Sequence, residues 1–120
     1  MHIEGEATLL RIFIGEADKH GHKALYDVIV EEARAAGLAG ATALRGIQGF
    51  GPSARMRSSR VLDLSSDLPV LVEVVDEETK VSAFVERVTQ LLEEAESGGL
   101  VTLEKARVIR YLHGASANGD

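Results

Sequence analysis

Between residues 77 and 97 the apolar residues Val81, Phe84, Val85, Val88, Leu91, Leu92 and Ala95 follow i, i+3, i+4, i+7 spacing over several turns. That period belongs to a helix with one apolar stripe, and no other signal in the chain is as strong. Burying each large side chain of such a stripe contributes about 1.5–3 kcal/mol, so the helix is stable only against a partner surface. The segment directly before it, residues 68–76, alternates Val70, Val72 and Val74 with Leu71, Glu73 and Val75, the period of a strand. A sheet covered by helices is therefore what this chain has to build. Asp76 stands where a cap for the helix is expected, and Glu77 and Glu78 suit the positive end of its dipole.

The remaining segments supply matching pieces. Residues 7–15 read as a strand, with Leu10, Ile12 and Ile14 on one face and Leu9, Arg11 and Phe13 on the other. That second face is too apolar to be bathed in water. A polar loop at 15–21 leads to a helix over about 22–36, with Leu25, Val28, Ile29 and Ala33 in its stripe. Gly37 suits the left-handed residue after the helix end, and Leu38 the apolar contact that accompanies it. Residues 41–50 read as a second strand carrying Ala41, Ala43, Arg45 and Ile47 on one face. Within it Gly46, Gly49 and Gly51 point to a bulge or a close backbone approach. Residues 52–67 turn polar, with five Ser and three Arg, and read as a mobile hairpin arm containing Val61, Leu62 and Leu64. Ser97-Gly98-Gly99 stops the long helix. Residues 100–111 hold the last strand, strongest at 107–111, and residues 114–120 form a frayed, disordered tail.

The order β-α-β-β-α-β predicts an α+β, ferredoxin-like domain over residues 1–113, with a four-stranded antiparallel sheet and two helices on one face. Leu9, Phe13, Leu71, Val75 and Ile109 then make the other face apolar, which predicts its burial by oligomerisation.

Composition narrows the function. The 120 residues carry 19 acidic against 13 basic side chains, a net charge of −6, and no Cys. Bulk acidity disfavours nucleic acid and anionic membrane surfaces, and without Cys there is no thiol nucleophile or thiolate metal site. No apolar run spans a bilayer and no secretory leader is visible, so the expectation is a cytoplasmic protein. No nucleophile elbow is present, and the paired Glu residues at 31–32, 77–78 and 93–94 read as solvated helix faces, so no catalytic residue is assigned and no enzyme is expected. The charge is uneven, however. Residues 33–62 contain Arg34, Arg45, Arg55, Arg57 and Arg60 and no acid, a window of +5 that leaves −11 for the other 90 residues.

Within that window Gly46-Ile47-Gln48-Gly49-Phe50-Gly51 lacks the strand-loop-helix context of a nucleotide-binding glycine loop. Its backbone amides beside Arg45, followed by Arg55, Arg57 and Arg60, form a candidate site for phosphate or carboxylate. The plain alternative is glycines serving a bulge while the arginines solubilise the arm. Glu16, Asp18, His20 and His22 cluster in one loop and can be read as divalent-cation ligands or as turn and capping residues.

Leu10-Arg11-Ile12-Phe13-Ile14-Gly15-Glu16, Gly40-Ala41-Thr42 running to Arg45-Gly46-Ile47, Gly49-Phe50-Gly51, Asp67-Leu68-Pro69-Val70 and Gly99-Leu100-Val101-Thr102 together resemble the domain-of-unknown-function 190 family. The resemblance covers about residues 7–113, and that family is similar to the PII signalling proteins. It implies a ferredoxin-like protomer in a PII-like homotrimer, with residues 51–67 as counterpart of the arm through which PII proteins contact partner proteins. By position, Gly49-Phe50-Gly51 matches the adenine-nucleotide-contacting turn at the base of that arm. Gly98-Gly99-Leu100 would line the same cleft from a neighbouring subunit. The PII phosphate-binding Gly-Asp-Gly-Lys run is Thr102-Leu103-Glu104-Lys105 here, so only Lys105 matches and Glu104 would repel phosphate.

The resemblance therefore implies a non-enzymatic sensor. Its small anionic or adenine-nucleotide ligand would meet Arg45, Gly46, Gly49, Phe50, Gly51, Gly98, Gly99, Leu100 and Lys105, and a partner protein would meet Arg55, Arg57 and Arg60. No cofactor is named and no metal site is assigned. The alternatives are a ligand-independent interaction module for a membrane transporter, and a divalent-cation-binding trimer using Glu16, Asp18 and His20.

Overall fold

In the computed structural model, which describes residues 5–51, 56–58 and 67–112, the alternating segments become the centre of a sheet. The elements in chain order are β1 (Gly5–Gly15), β2 (Lys19–His20), β3 (Lys23–Ala24), α1 (Leu25–Ala35), β4 (Ala41–Arg45), β5 (Gln48–Gly49), β6 (Arg57–Ser58), β7 (Pro69–Asp76), α2 (Glu78–Glu94) and β8 (Leu100–Val108). Four strands form one antiparallel sheet in the order β4-β7-β1-β8, while β2 with β3 and β5 with β6 make two small pairs. This is the ferredoxin-like α+β arrangement anticipated above. Most of the expected arm and the whole of the 114–120 tail lie outside the described residues.

Register explains which face is buried. Ile12 lies opposite Val72 and Val101, and Leu10 opposite Val74 and Leu103. Leu10, Ile12, Val72 and Val74 are sealed by Leu25 and Ile29 of α1 and by Val81, Val88 and Leu91 of α2. The two helices are joined by Arg87, whose Nε and Nη2 donate to Glu32 Oε1 and Oε2 at 2.5 and 2.7 Å. On the opposite face Leu9, Phe13, Leu71 and Val75 remain partly exposed. That face is not uniformly apolar. Arg11 donates from Nε to Glu73 at 2.9 Å and from Nη1 to Glu104 at 2.5 Å, a charged bridge across three strands.

Several element ends differ from the sequence expectation. The first helix starts at Leu25 rather than 22, because residues 19–24 fold into the β2–β3 hairpin around Gly21, whose φ is +65°. The expected strand at 41–50 breaks at Gly46. A Cβ there would come within 3.0 Å of the Pro69 ring, and the Gly46 amide donates to the Pro69 carbonyl at 2.7 Å. Asp76 does not occupy the cap position of α2, which falls to Glu77. Fully buried, its carboxylate instead accepts from the Glu77 amide at 2.6 Å and the Ala39 amide at 2.8 Å. The last strand ends at Val108, whereas 107–111 had the strongest strand composition. Gly5 opposite Val108 is the final pair with β1. Beyond it the chain leaves the sheet, and the Tyr111 hydroxyl donates to the Ala39 carbonyl at 2.5 Å, beside the far edge strand β4.

Candidate functional site

The sheet order places the residues after β4 and those before β8 at opposite edges of the sheet, with the ends of β7 and β1 between them. There a groove of about 810 Å³ opens. One side is built by Gly46 and the run from Gln48 to Gly51, the other by Gly98, Gly99 and Leu100, and the strand ends around Phe13 and Pro69 lie between. The glycines let the backbones close in. A Cβ at Gly99 would meet the Phe13 carbonyl oxygen and Ile14 Cγ2, both at 2.8 Å, and one at Gly49 would touch Pro69 at 3.4 Å.

Asp18 fixes the third side. Its Oδ2 accepts from the Gly15 amide at 3.0 Å and from the Ser97 hydroxyl at 2.9 Å, and its carbonyl accepts from the Leu25 amide at 2.8 Å. One carboxylate thus joins the end of β1 to the turn that carries Gly98 and Gly99. Around it the described lining is apolar or amide in character, and Asp18 is its single charged side chain. Phe50 is 70% exposed and Leu100 56% exposed, so two apolar side chains stand open at the groove.

Seven of the nine ligand-binding candidates therefore line one groove: Gly46, Gly49, Phe50, Gly51, Gly98, Gly99 and Leu100. The segment expected from a neighbouring subunit, 98–100, reaches the groove of its own chain. Arg45 and Lys105 are not among the lining residues. Arg45 Nη2 is ion-paired with Glu16 Oε2. The Glu16 amide in turn donates to the Leu68 carbonyl at 2.8 Å, so the pair ties the end of β4 to the entry of β7. Lys105 lies along β8 opposite Thr8, exposed and away from the groove. Glu104, expected to repel phosphate, has its charge met by Arg11. Of the arm candidates, Arg57 pairs through its backbone with Gly49, while Arg55 and Arg60 fall outside the described residues.

The cation cluster does not converge. Glu16 faces Arg45, Asp18 faces Ser97, and His20 Nε2 lies 2.7 Å from Glu94 Oε1. Among the described residues no group of three His, Cys, Asp or Glu side chains is placed to hold a metal ion. Sequence reasoning missed Phe13, Gln48 and Pro69 as lining residues; of the two readings it left open for Asp18, the turn bond to the Gly15 amide fits the turn and capping one, but its place in the groove was not foreseen. These positions meet only through the β1–β7 register and the Gly46–Pro69 contact, for which a single sequence carries no signal.

Comparison with known proteins places this geometry. The family model DUF190, described as "Uncharacterized ACR", matches residues 7–108. A UPF0166 protein of Aquifex aeolicus is 40% identical over 101 residues, covering 84% of this chain and 91% of that one. A UPF0166 protein of Methanocaldococcus jannaschii is 29% identical over 105 residues, covering 88% and 94%. Among solved structures, CPII of Thiomonas intermedia K12, a nitrogen regulatory PII-like protein bound to ADP, AMP and bicarbonate, superposes with a TM-score of 0.65 at 19% identity over 86% of this chain and 88% of that chain. A putative PII-like signalling protein of Thermus thermophilus gives 0.57 at 19% identity over 89% and 94%. At that identity the likeness concerns the fold, which is PII-like. Among the described residues no helix is long and apolar enough to cross a membrane.

Proposed function

This chain belongs to the DUF190 family, and we propose that it is a cytoplasmic, non-enzymatic regulatory protein of PII-like type. Its ligand is an adenine nucleotide or a related small anion, held in the groove between the 46–51 and 98–100 turns. Residues 1–113 act as one domain and three copies associate through the open sheet face. Residues 51–67, with Arg55, Arg57 and Arg60, contact a protein partner such as a membrane transporter. Ligand binding biases the arm between partner-competent and partner-incompetent states.

The observation that carries this reading is the convergence of Gly46, Gly49, Phe50 and Gly51 with Gly98, Gly99 and Leu100 on one groove, although the whole of residues 52–97 separates the two segments in the chain. Close glycine backbones and an exposed aromatic ring suit a flat base, since stacking on a ring contributes about 1–3 kcal/mol. The PII-like CPII, whose fold this chain shares, is described with ADP, AMP and bicarbonate.

Titration calorimetry with ADP, AMP, ATP and bicarbonate tests the proposal. Binding of at least one adenine nucleotide is expected, weakened roughly tenfold by Phe50→Ala, the loss that removing one stacked ring produces. Failure of all four to bind rejects it. A second reading, ligand-independent docking, draws on Ile47 at 74% and Phe50 at 70% exposure beside the arm. Equal partner capture with and without nucleotide would favour that reading.

A further inference from the structure

The groove has an electrostatic character that the expected phosphate site does not predict. Its described lining has one charged side chain, and that charge is negative. Of the basic residues that adjoin the lining in sequence, Arg45 is held by Glu16, whose side chain is only 14% exposed, and Lys19 lies exposed on β2 and is not among the lining residues. Lys105 is elsewhere on β8. Asp18 cannot swing away without cost, because the Gly15 amide and the Ser97 hydroxyl both bond to its Oδ2. Moving it would free the turn that carries Gly98 and Gly99. A fixed carboxylate in a mostly apolar cleft attracts hydrogen-bond donors and repels phosphate oxygens.

We infer that Asp18 makes this groove select the nucleoside part of its ligand, through the hydroxyls of a ribose or the exocyclic amine of a base, and disfavour a polyphosphate. This rests on the groove being the ligand site proposed above and adds which part of the ligand it reads. The base lies against Phe50 and Leu100, the close glycine backbones admit a flat ring, and the Asp18 carboxylate accepts from a donor on the nucleoside. Negative charge on the ligand then lowers affinity in proportion to how close it lies to Asp18. Against the described lining, adenosine is therefore sufficient for binding, and each added phosphate brings no gain.

Calorimetry with adenosine, AMP and ATP, on the wild type and on Asp18→Asn, tests the assignment. Asparagine keeps an acceptor oxygen for the Gly15 amide and the Ser97 hydroxyl and removes only the charge. Wild-type protein is expected to bind adenosine at least as tightly as ATP, and Asp18→Asn to raise the ATP-to-adenosine affinity ratio about three- to tenfold. Ser97→Ala, which breaks the bond to Asp18 and keeps its charge, is expected to leave the ratio unchanged. Salt provides a reading that needs no variant. Screening Asp18 raises the ATP-to-adenosine ratio as ionic strength increases. ATP binding without adenosine binding, a ratio unmoved by Asp18→Asn, or a ratio that falls with salt each overturns the role of Asp18 while leaving the groove as a nucleotide site. If none of the three ligands binds, the role of Asp18 falls, and if ADP and bicarbonate fail as well, the groove falls with it as the ligand site.

Discussion

Glu96 has a φ of +54°, a left-handed conformation that side chains with a Cβ adopt at a cost of about 1 kcal/mol. It follows the cap residue Ala95 of α2, and the Ser97 amide closes the turn on the Leu92 carbonyl at 2.9 Å. After α1 the same device is built with Gly37 at φ +78° and the Leu38 amide on the Ala33 carbonyl. Glu96 is exposed, so Glu96→Gly is expected to raise stability by about 0.5–1 kcal/mol, less the extra chain entropy of glycine. Thermal unfolding should show a melting temperature a few degrees higher, and a lower one would contradict the strain. The contrast explains what was legible at single positions. Gly37-Leu38 was readable because glycine sat at the left-handed position directly after the cap residue Ala36. At the end of α2 the glycines come two and three residues later, at 98 and 99, where Gly99 is needed for contact with Phe13. Their place in the sequence thus pointed to a helix stop, and their physical role is in the groove. The role of Asp18 in the groove was hidden for a similar reason, since its partners Gly15 and Ser97 meet only in the folded chain.

Helices and strands were legible wherever one element carried its own pattern, and less so where a boundary depended on a neighbour. Five of the seven residues of the expected α2 stripe, Val81, Phe84, Val88, Leu91 and Leu92, are buried, and Val85 and Ala95 pack half-buried at its margin. The end of β8 was not legible, because β1 stops offering a partner at Gly5 however favourable the composition beyond Val108. The start of α1 was displaced by a hairpin that needs the carbonyl of Asp18 to receive the Leu25 amide. The contact between the two helices is also testable. Hydrogen bonds from Arg87 hold the Glu32 carboxyl below its ordinary value of 4.5. Because the folded state has the lower pKa, the pair contributes stability above that value and loses it as pH falls through the folded pKa. Glu32→Gln is expected to cost about 0.5–1 kcal/mol at pH 7, the scale of a partly exposed pair. Its denaturant midpoint should converge with that of the wild type as pH drops below 4.5. A difference that persists in acid would mean the side chain acts through packing and not through charge.

For the whole molecule, the ferredoxin-like layout was legible because each face of each central strand declares itself. Val70, Val72 and Val74 are all buried, and Leu71 and Val75 are left on the opposite face. The content of that opposite face was only half legible: its apolar residues were, but the Arg11 bridge to Glu73 and Glu104 was not, since it needs three strands in register. Our proposal that copies associate there predicts three chains per particle by light scattering. Leu44, 48% exposed on β4 and opposite Leu71, tests it. Leu44→Asp is expected to give single chains with an unchanged fold, because the site is open in one chain and would bury a charge in an assembly. Wild-type single chains would reject association through this face. The strand order has one more consequence, for synthesis. β1 is made first yet sits between β7 and β8, the last two strands to appear. While the chain is emerging from the ribosome, the apolar β1 has neither neighbour available. The sheet cannot close until β8 has been released, and non-local pairing of this kind is slow. During that interval an unpaired strand bearing Leu10, Ile12 and Ile14 is exposed to association with other nascent chains, so a crowded translating cell tests this protein most severely before it is finished.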